Sequence, residues 1–88
     1  MKGPIRADDL YNITGRGHIF TCRPGGVPET VNVGDTVCFT STNQRVIDDD
    51  FFDPDQEYRV VGIEMLRTLM CPPTIKGLGF VVSPVVRS

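Results

Sequence analysis

The chain's only histidine, His18, stands four residues ahead of Cys22. On a strand that spacing returns both side chains to one face, where an imidazole can take a proton from a thiol. No motif supplies a third group to orient the ring, and none supplies an oxyanion hole, so the pair does not read as a nucleophile with its base. The acids offer no clearer chemistry. Asp48-Asp49-Asp50 and Asp53-Pro54-Asp55 flank Phe51-Phe52, a cluster that suggests calcium. The glycine at the sixth position and the closing glutamate of an EF-hand loop are both missing in register. No two carboxylates stand out as the acid and base of a hydrolase. Cys22, Cys38 and Cys71 have no short spacing and read as reduced, buried side chains rather than zinc ligands or a disulfide framework. No Gly-x-x-x-x-Gly-Lys-Ser/Thr loop is present, so no GTP binding by this chain is expected. With no catalytic residue, metal or cofactor to assign, the chain reads as a binding module and not an enzyme. The charged pair that remains is Glu64 and Arg67, at the end of an apolar run.

Bulk properties narrow what such a module can hold. The 88 residues make one domain, 1–88. A hydrophobic fraction of 40% and a charged fraction of 23% are those of a globular chain, which argues against wholesale disorder. No apolar run approaches the roughly 18 residues of a membrane span, and Met1-Lys2-Gly3-Pro4 has no leader character, so no membrane contact and a cytoplasmic location are expected. The net charge of −2 leaves acids in excess of bases. A nucleic acid gripped along its phosphates needs the opposite balance, so any RNA contact must be small and made to a chain end.

The elements that must position these residues read as β. Leu10–Thr14 is a strand with Tyr11 and Ile13 on one face, Gly15-Arg16-Gly17 a turn, and His18–Arg23 a returning strand whose inward face is ambiguous between Ile19 and Phe20. Pro24 to Pro28 cannot continue a sheet. Val31 and Val33 lead into a bend at Gly34-Asp35, after which Val37 and Phe39 keep the apolar parity through Thr40. Ser41–Glu57 is a long loop whose phenylalanines either fold back over an open barrel end or, exposed, mark a partner site. Tyr58–Met65 is a strand with Val61, Ile63 and Met65 on one face and Glu64 on the other. Strict alternation would bury Arg67, so the strand should end or bulge near Leu66 and leave Glu64 and Arg67 at the surface. Gly77–Ser83 is the last strand. The barrel spans about 9–83, with short tails and the loop 41–57.

Four segments in order carry a resemblance: Leu10 to Gly17, Thr21-Cys22-Arg23, Val31 to Val37, and Gly62 to Leu69. The chain resembles the second domain of translational GTPases, of the elongation factor Tu type. That resemblance implies a six-stranded antiparallel closed β-barrel, an all-β fold. It also implies that Glu64 lies in a pocket for the 3′-terminal adenosine of aminoacyl-tRNA, near a ribose hydroxyl, with Ile63, Met65 or Leu66 as apolar walls and Arg67 at the aminoacyl end. A carboxylate accepting from a 2′-OH is what separates RNA from DNA. Gly15, Arg16 and Gly17 correspond to a turn facing the ribosome, and Arg23 to a position facing the GTPase domain. Cys22 stands where the family pattern has glycine, the loop 41–57 is longer than the family's hairpin, and the partner domains are missing.

Two functions follow as expectations. One is a stand-alone barrel that contacts the ribosome or the aminoacyl-tRNA 3′ end, through Glu64 and Arg67. The other is a protein-binding module, or a mimic of the elongation factor barrel, acting on a protein partner through the acidic loop and Phe51 and Phe52.

Overall fold

The computed structural model describes residues 1–27, 29–67 and 75–86, with the side chains of Pro24, Leu66, Arg67, Ile75 and Lys76 left aside. Six strands form one sheet: β1 (Lys2–Arg6), β2 (Asp9–Ile13), β3 (Gly17–Cys22), β4 (Thr36–Thr40), β5 (Tyr58–Arg67) and β6 (Ile75–Pro84). A 3₁₀ turn at Pro24–Gly26 and a four-residue helix α1 (Gln44–Ile47) complete the described elements. The sheet order is β1-β4-β5-β6-β3-β2.

Two features correct the expectation of a closed antiparallel barrel. The sheet is mixed, because β1 runs parallel to β4, with Ile5 opposite Phe39. The sheet is also open, since no ladder joins its edge strands β1 and β2. Those edges are nevertheless consecutive in the chain, separated only by Ala7 and Asp8, so the sheet must curl until they nearly meet. The Ala7 N–H donates to the Thr40 carbonyl at 2.8 Å and the Asp8 N–H to that of Thr21 at 2.7 Å, carrying the chain from β4 across to β3. The strand β1 lies ahead of the stretch where sequence patterning starts the barrel. Its proline sits on an edge, where a missing N–H donor leaves no ladder bond unmade.

The curl encloses an aromatic core. Phe20, Phe39, Tyr58 and Phe80 are all essentially buried, and Phe20 stacks on Phe39 with centroids 4.0 Å apart. Ile5, Leu10, Val37, Val46 and Val60 fill around them. The ambiguity at β3 resolves with Phe20 inward and Ile19 on the outer face. The β5 pattern needs a correction. Tyr58 and Val60 are the inward residues, a register shift falls between Val60 and Gly62, and only then does Ile63 turn to the core. The irregularity separates Val61, 51% exposed, from the face it was expected to share with Ile63. A second shift falls between Leu66 and Arg67, where the burial cost of an arginine required one.

The bend before β4 fastens the N-terminus. Gly34 takes φ +97°, and its N–H donates to the Val60 carbonyl at 2.8 Å. Asp35 accepts from the Asn32 N–H at 2.8 Å and from Lys2 Nζ at 2.9 Å, while Lys2 also donates to the Thr30 carbonyl. The Asn32 N–H, and after it Lys2, holds the Asp35 carboxyl below the usual carboxylate range. A carboxylate depressed in the folded state adds stability above its unfolded value, about pH 3.9, and the gain disappears as pH falls through the lower folded value. The urea midpoint of wild type is therefore expected to fall in that acid window, and an Asp35→Asn variant to show a shallower fall there.

Candidate functional site

The outer face of the sheet carries an open groove of about 520 Å³, lined by residues that include Tyr11, Ile13, Ile19, Thr21, Arg23 and Glu64. Register explains why these meet. Asp9 pairs with Thr21, Thr21 with Gly79 and Gly79 with Glu64, so one row of the outer face runs from β2 to β5. The next row is Tyr11, Ile19, Val81 and Gly62. The depression comes from β6, whose outward positions 77 and 79 are both glycine. A Cβ at Gly79 would lie 3.3 Å from Ile19 Cγ2 and 3.8 Å from Glu64 Cβ, within the space the groove uses. Ile19 thus forms an apolar floor, with Glu64 on one wall and the outer side chains of β2 on the other.

Charges ring this floor in carboxylate–arginine pairs. Arg16 engages Glu64, Arg23 pairs with Asp8 at 3.2 Å, and Arg45 with Asp9 at 3.5 Å. The Tyr11 hydroxyl donates to Asp9 Oδ2 at 2.9 Å, and that bond, reinforced by the carboxylate's charge, raises the phenol above its ordinary value. Asp9 Oδ1 accepts from the Leu10 N–H at 2.9 Å. The three guanidiniums are largely exposed, Arg23 most at 82%, so each pair orients a cation more than it stabilises the fold. A second hollow of about 260 Å³ adjoins the groove, sharing Asp8 and Arg23 and adding Arg6, Gly25 and Gly26.

The sequence-nominated residues divide between this groove and elsewhere. Glu64 and Arg23 line it, and Arg16 reaches it from the Gly15-Arg16-Gly17 turn. In that turn the Arg16 N–H donates to the Ile13 carbonyl, and Gly15 takes φ +83° at the position where a type II turn demands it. The residues nominated as apolar walls are not among those that line this groove. Ile63 packs against the core, Met65 lies one residue out of phase with Glu64 on the strand, and Leu66 contributes only backbone to the description. Tyr11, Ile13 and Ile19 take their place. Arg67 closes β5 opposite Ile75, and its side chain lies outside what is described.

Phe51 and Phe52 are half-buried against the core. Phe51 stacks on His18 with centroids 3.6 Å apart and planes 6° from parallel. The start of the loop that carries them is fixed by side-chain bonds to backbone carbonyls, with Ser41 Oγ donating to the Ala7 carbonyl and Asn43 Nδ2 to that of Asp8, both at 2.7 Å. Asn43 also caps α1 by accepting from the Arg45 N–H. Cys22 turns into the core, and burial, with the nearby Asp8 charge, pushes its thiol up to about 12. It is a thiol at neutral pH, and four residues of strand, about 13 Å, separate it from His18. Among the described residues, no three acids, histidines or cysteines gather as metal ligands, and no helix is long and apolar enough to cross a membrane. Compared with known proteins, the chain matches no family model, no curated sequence and no solved structure.

Proposed function

We propose that this chain is a non-catalytic binding module that takes the nucleoside end of an RNA, of the aminoacyl-tRNA 3′-terminal kind, in the outer-face groove. One observation carries the reading: Glu64 stands beside an apolar floor of Ile19 in a hollow left by the two glycines of β6. A flat base can lie on such a floor, and a carboxylate at its edge accepts from a ribose hydroxyl. The net charge of −2 limits the contact to a chain end and few phosphates. The resemblance to translational GTPase barrels suggests the ribosome and aminoacyl-tRNA as the setting.

The protein-partner alternative rests on the acidic loop. With Phe51 and Phe52 half-buried, a partner reading that loop would meet chiefly its carboxylates.

The test compares short RNAs ending in adenosine or in 2′-deoxyadenosine, by fluorescence anisotropy, on wild type and Glu64→Ala. Wild type is expected to prefer the ribose end by about ten-fold or more, the worth of a hydrogen bond to a charged group. Glu64→Ala is expected to lose that preference. A preference unchanged in the variant, or absent from wild type, would exclude the groove as a ribose site.

A further inference from the structure

The Arg16–Glu64 pair spans an unusual stretch of the fold. Glu64 is on β5, Arg16 is on the β2–β3 turn, and β6 and β3 lie between them in the sheet. The guanidinium therefore reaches across the outer face to find its carboxylate. Ile19 and Val81 sit on that face, opposite one another in register, yet are only 4% and 9% exposed and stand apart from the inner core cluster. The turn that carries Arg16 stands in open space. Gly15 and Gly17 take φ +83° and +94°, and a side chain begun at either would meet no atom within 4 Å.

We infer that Arg16 is a two-position specificity residue of the groove. With the groove empty it holds Glu64. With the groove occupied it yields Glu64 to the ligand's hydroxyl and turns to the phosphate beside it. The inference rests on the nucleoside reading of the groove and adds to it a preference for a phosphorylated end over a bare one. The exchange leaves no charge stranded: guanidinium–carboxylate becomes guanidinium–phosphate plus hydroxyl–carboxylate, each a charge-assisted bond. A neutral nucleoside completes only half of it, since it displaces Arg16 and offers the cation nothing in return.

The experiment titrates wild type, Arg16→Ala and Arg16→Lys with adenosine and with adenosine 5′-monophosphate, followed by NMR. Arg16→Ala removes a competitor for Glu64, so adenosine is expected to bind about two- to five-fold more tightly, the range an exposed ion pair supports. The same variant is expected to bind the monophosphate more weakly than wild type, because the cation that received the phosphate is gone. The two ligands thus move in opposite directions. Arg16→Lys, a cation without the planar fork, is expected to keep part of the preference. Shifts of the same sign for both ligands, or no shift, overturn the two-position role and leave the groove reading intact. Failure of wild type to take up either ligand at millimolar concentration removes the nucleoside reading and this inference with it.

Discussion

Phe20→Ala is expected to lower the stability of this fold by about 3–5 kcal/mol, the range for emptying a buried aromatic site. Phe20 has no exposed surface, stacks on Phe39, and meets Tyr58 edge-on with centroids 5.5 Å apart. It also touches the long loop, with Phe51 and Phe52 at centroid distances of 6.1 and 6.3 Å. The cavity would open at the point where β3, β4, β5 and that loop converge, and ring-to-ring contacts beyond simple burial would go with it. A domain of this size is stable by about 4–13 kcal/mol, so the variant is expected to be marginal or unfolded at room temperature. Urea denaturation followed by far-UV circular dichroism measures it. A loss under about 1 kcal/mol would mean that the core collapses around the site far better than this packing allows. Phe20→Leu, which keeps most of the volume, is expected to fall between the two and to remain folded.

The ease with which Phe20 can be identified as central contrasts with what patterning misses. Adjacent Ile19 and Phe20 are equally apolar, and only the sheet's curl decides which enters the core. The N-terminal strand is illegible because Lys2-Gly3-Pro4-Ile5-Arg6 has a single large apolar residue and two poor strand formers. It exists because β4 offers an edge on which Ile5 can be buried beside Phe39. That one strand makes an expected antiparallel sheet mixed. The shift at Val60–Gly62 is equally illegible, because nothing in an alternating apolar run marks the residue at which the ladder slips. A one-residue slip exchanges the faces on its two sides, so alternation holds from Ile63 to Met65 while Val61 leaves the face of Ile63. At the far end of β5 physical cost succeeded where alternation failed, since burying Arg67 was too expensive and the ladder does shift there.

The site was legible in pieces and not as a whole. Glu64, Arg16 and Arg23 each stood out, but nothing in the sequence says that Arg16 and Glu64 pair, because their contact depends on β3 and β6 lying between them. The glycines at 77 and 79 carry no signal of their own in the run that reads as the last strand. Their part in shaping the groove emerges only when both are seen to share the outer face, Gly79 between Thr21 and Glu64 and Gly77 two residues before it. Tyr11 and Ile13 were recognised as sharing a face, and that face proves to be the groove's.

Tyr58→Phe should detach the long loop while sparing the groove, which separates the two functional readings. Tyr58 is fully buried, and its hydroxyl donates to the Phe51 carbonyl at 2.7 Å and accepts from the Asp53 N–H at 3.0 Å. Removing that oxygen strands two backbone groups under the loop, at an expected cost of about 1–3 kcal/mol. Native-state hydrogen exchange is expected to show the Asp53 amide losing protection, and the His18 ring shifts should move as Phe51 leaves its stack. A second signature lies in alkali. Burial is the chief reason that the Tyr58 phenol stands above its ordinary value, so the folded state resists its ionisation. A group raised in the folded state stabilises fully below its unfolded value, about pH 10, and that contribution is lost as pH climbs through the folded one. The wild-type urea midpoint should fall in that window, and the variant should fall less. The floor and the Glu64 wall of the groove belong to β3, β5 and β6, while the loop meets its rim through the Arg45–Asp9 pair and the Asn43–Asp8 bond, both at the α1 end and away from Tyr58. RNA-end binding should therefore survive Tyr58→Phe within about two-fold, the scale of one exposed ion pair. Any protein partner that reads the Asp48–Asp55 loop should lose its hold. Lost RNA-end binding in a variant that is still folded would show that the loop, and not the glycine-floored groove, is where the chain makes its contact.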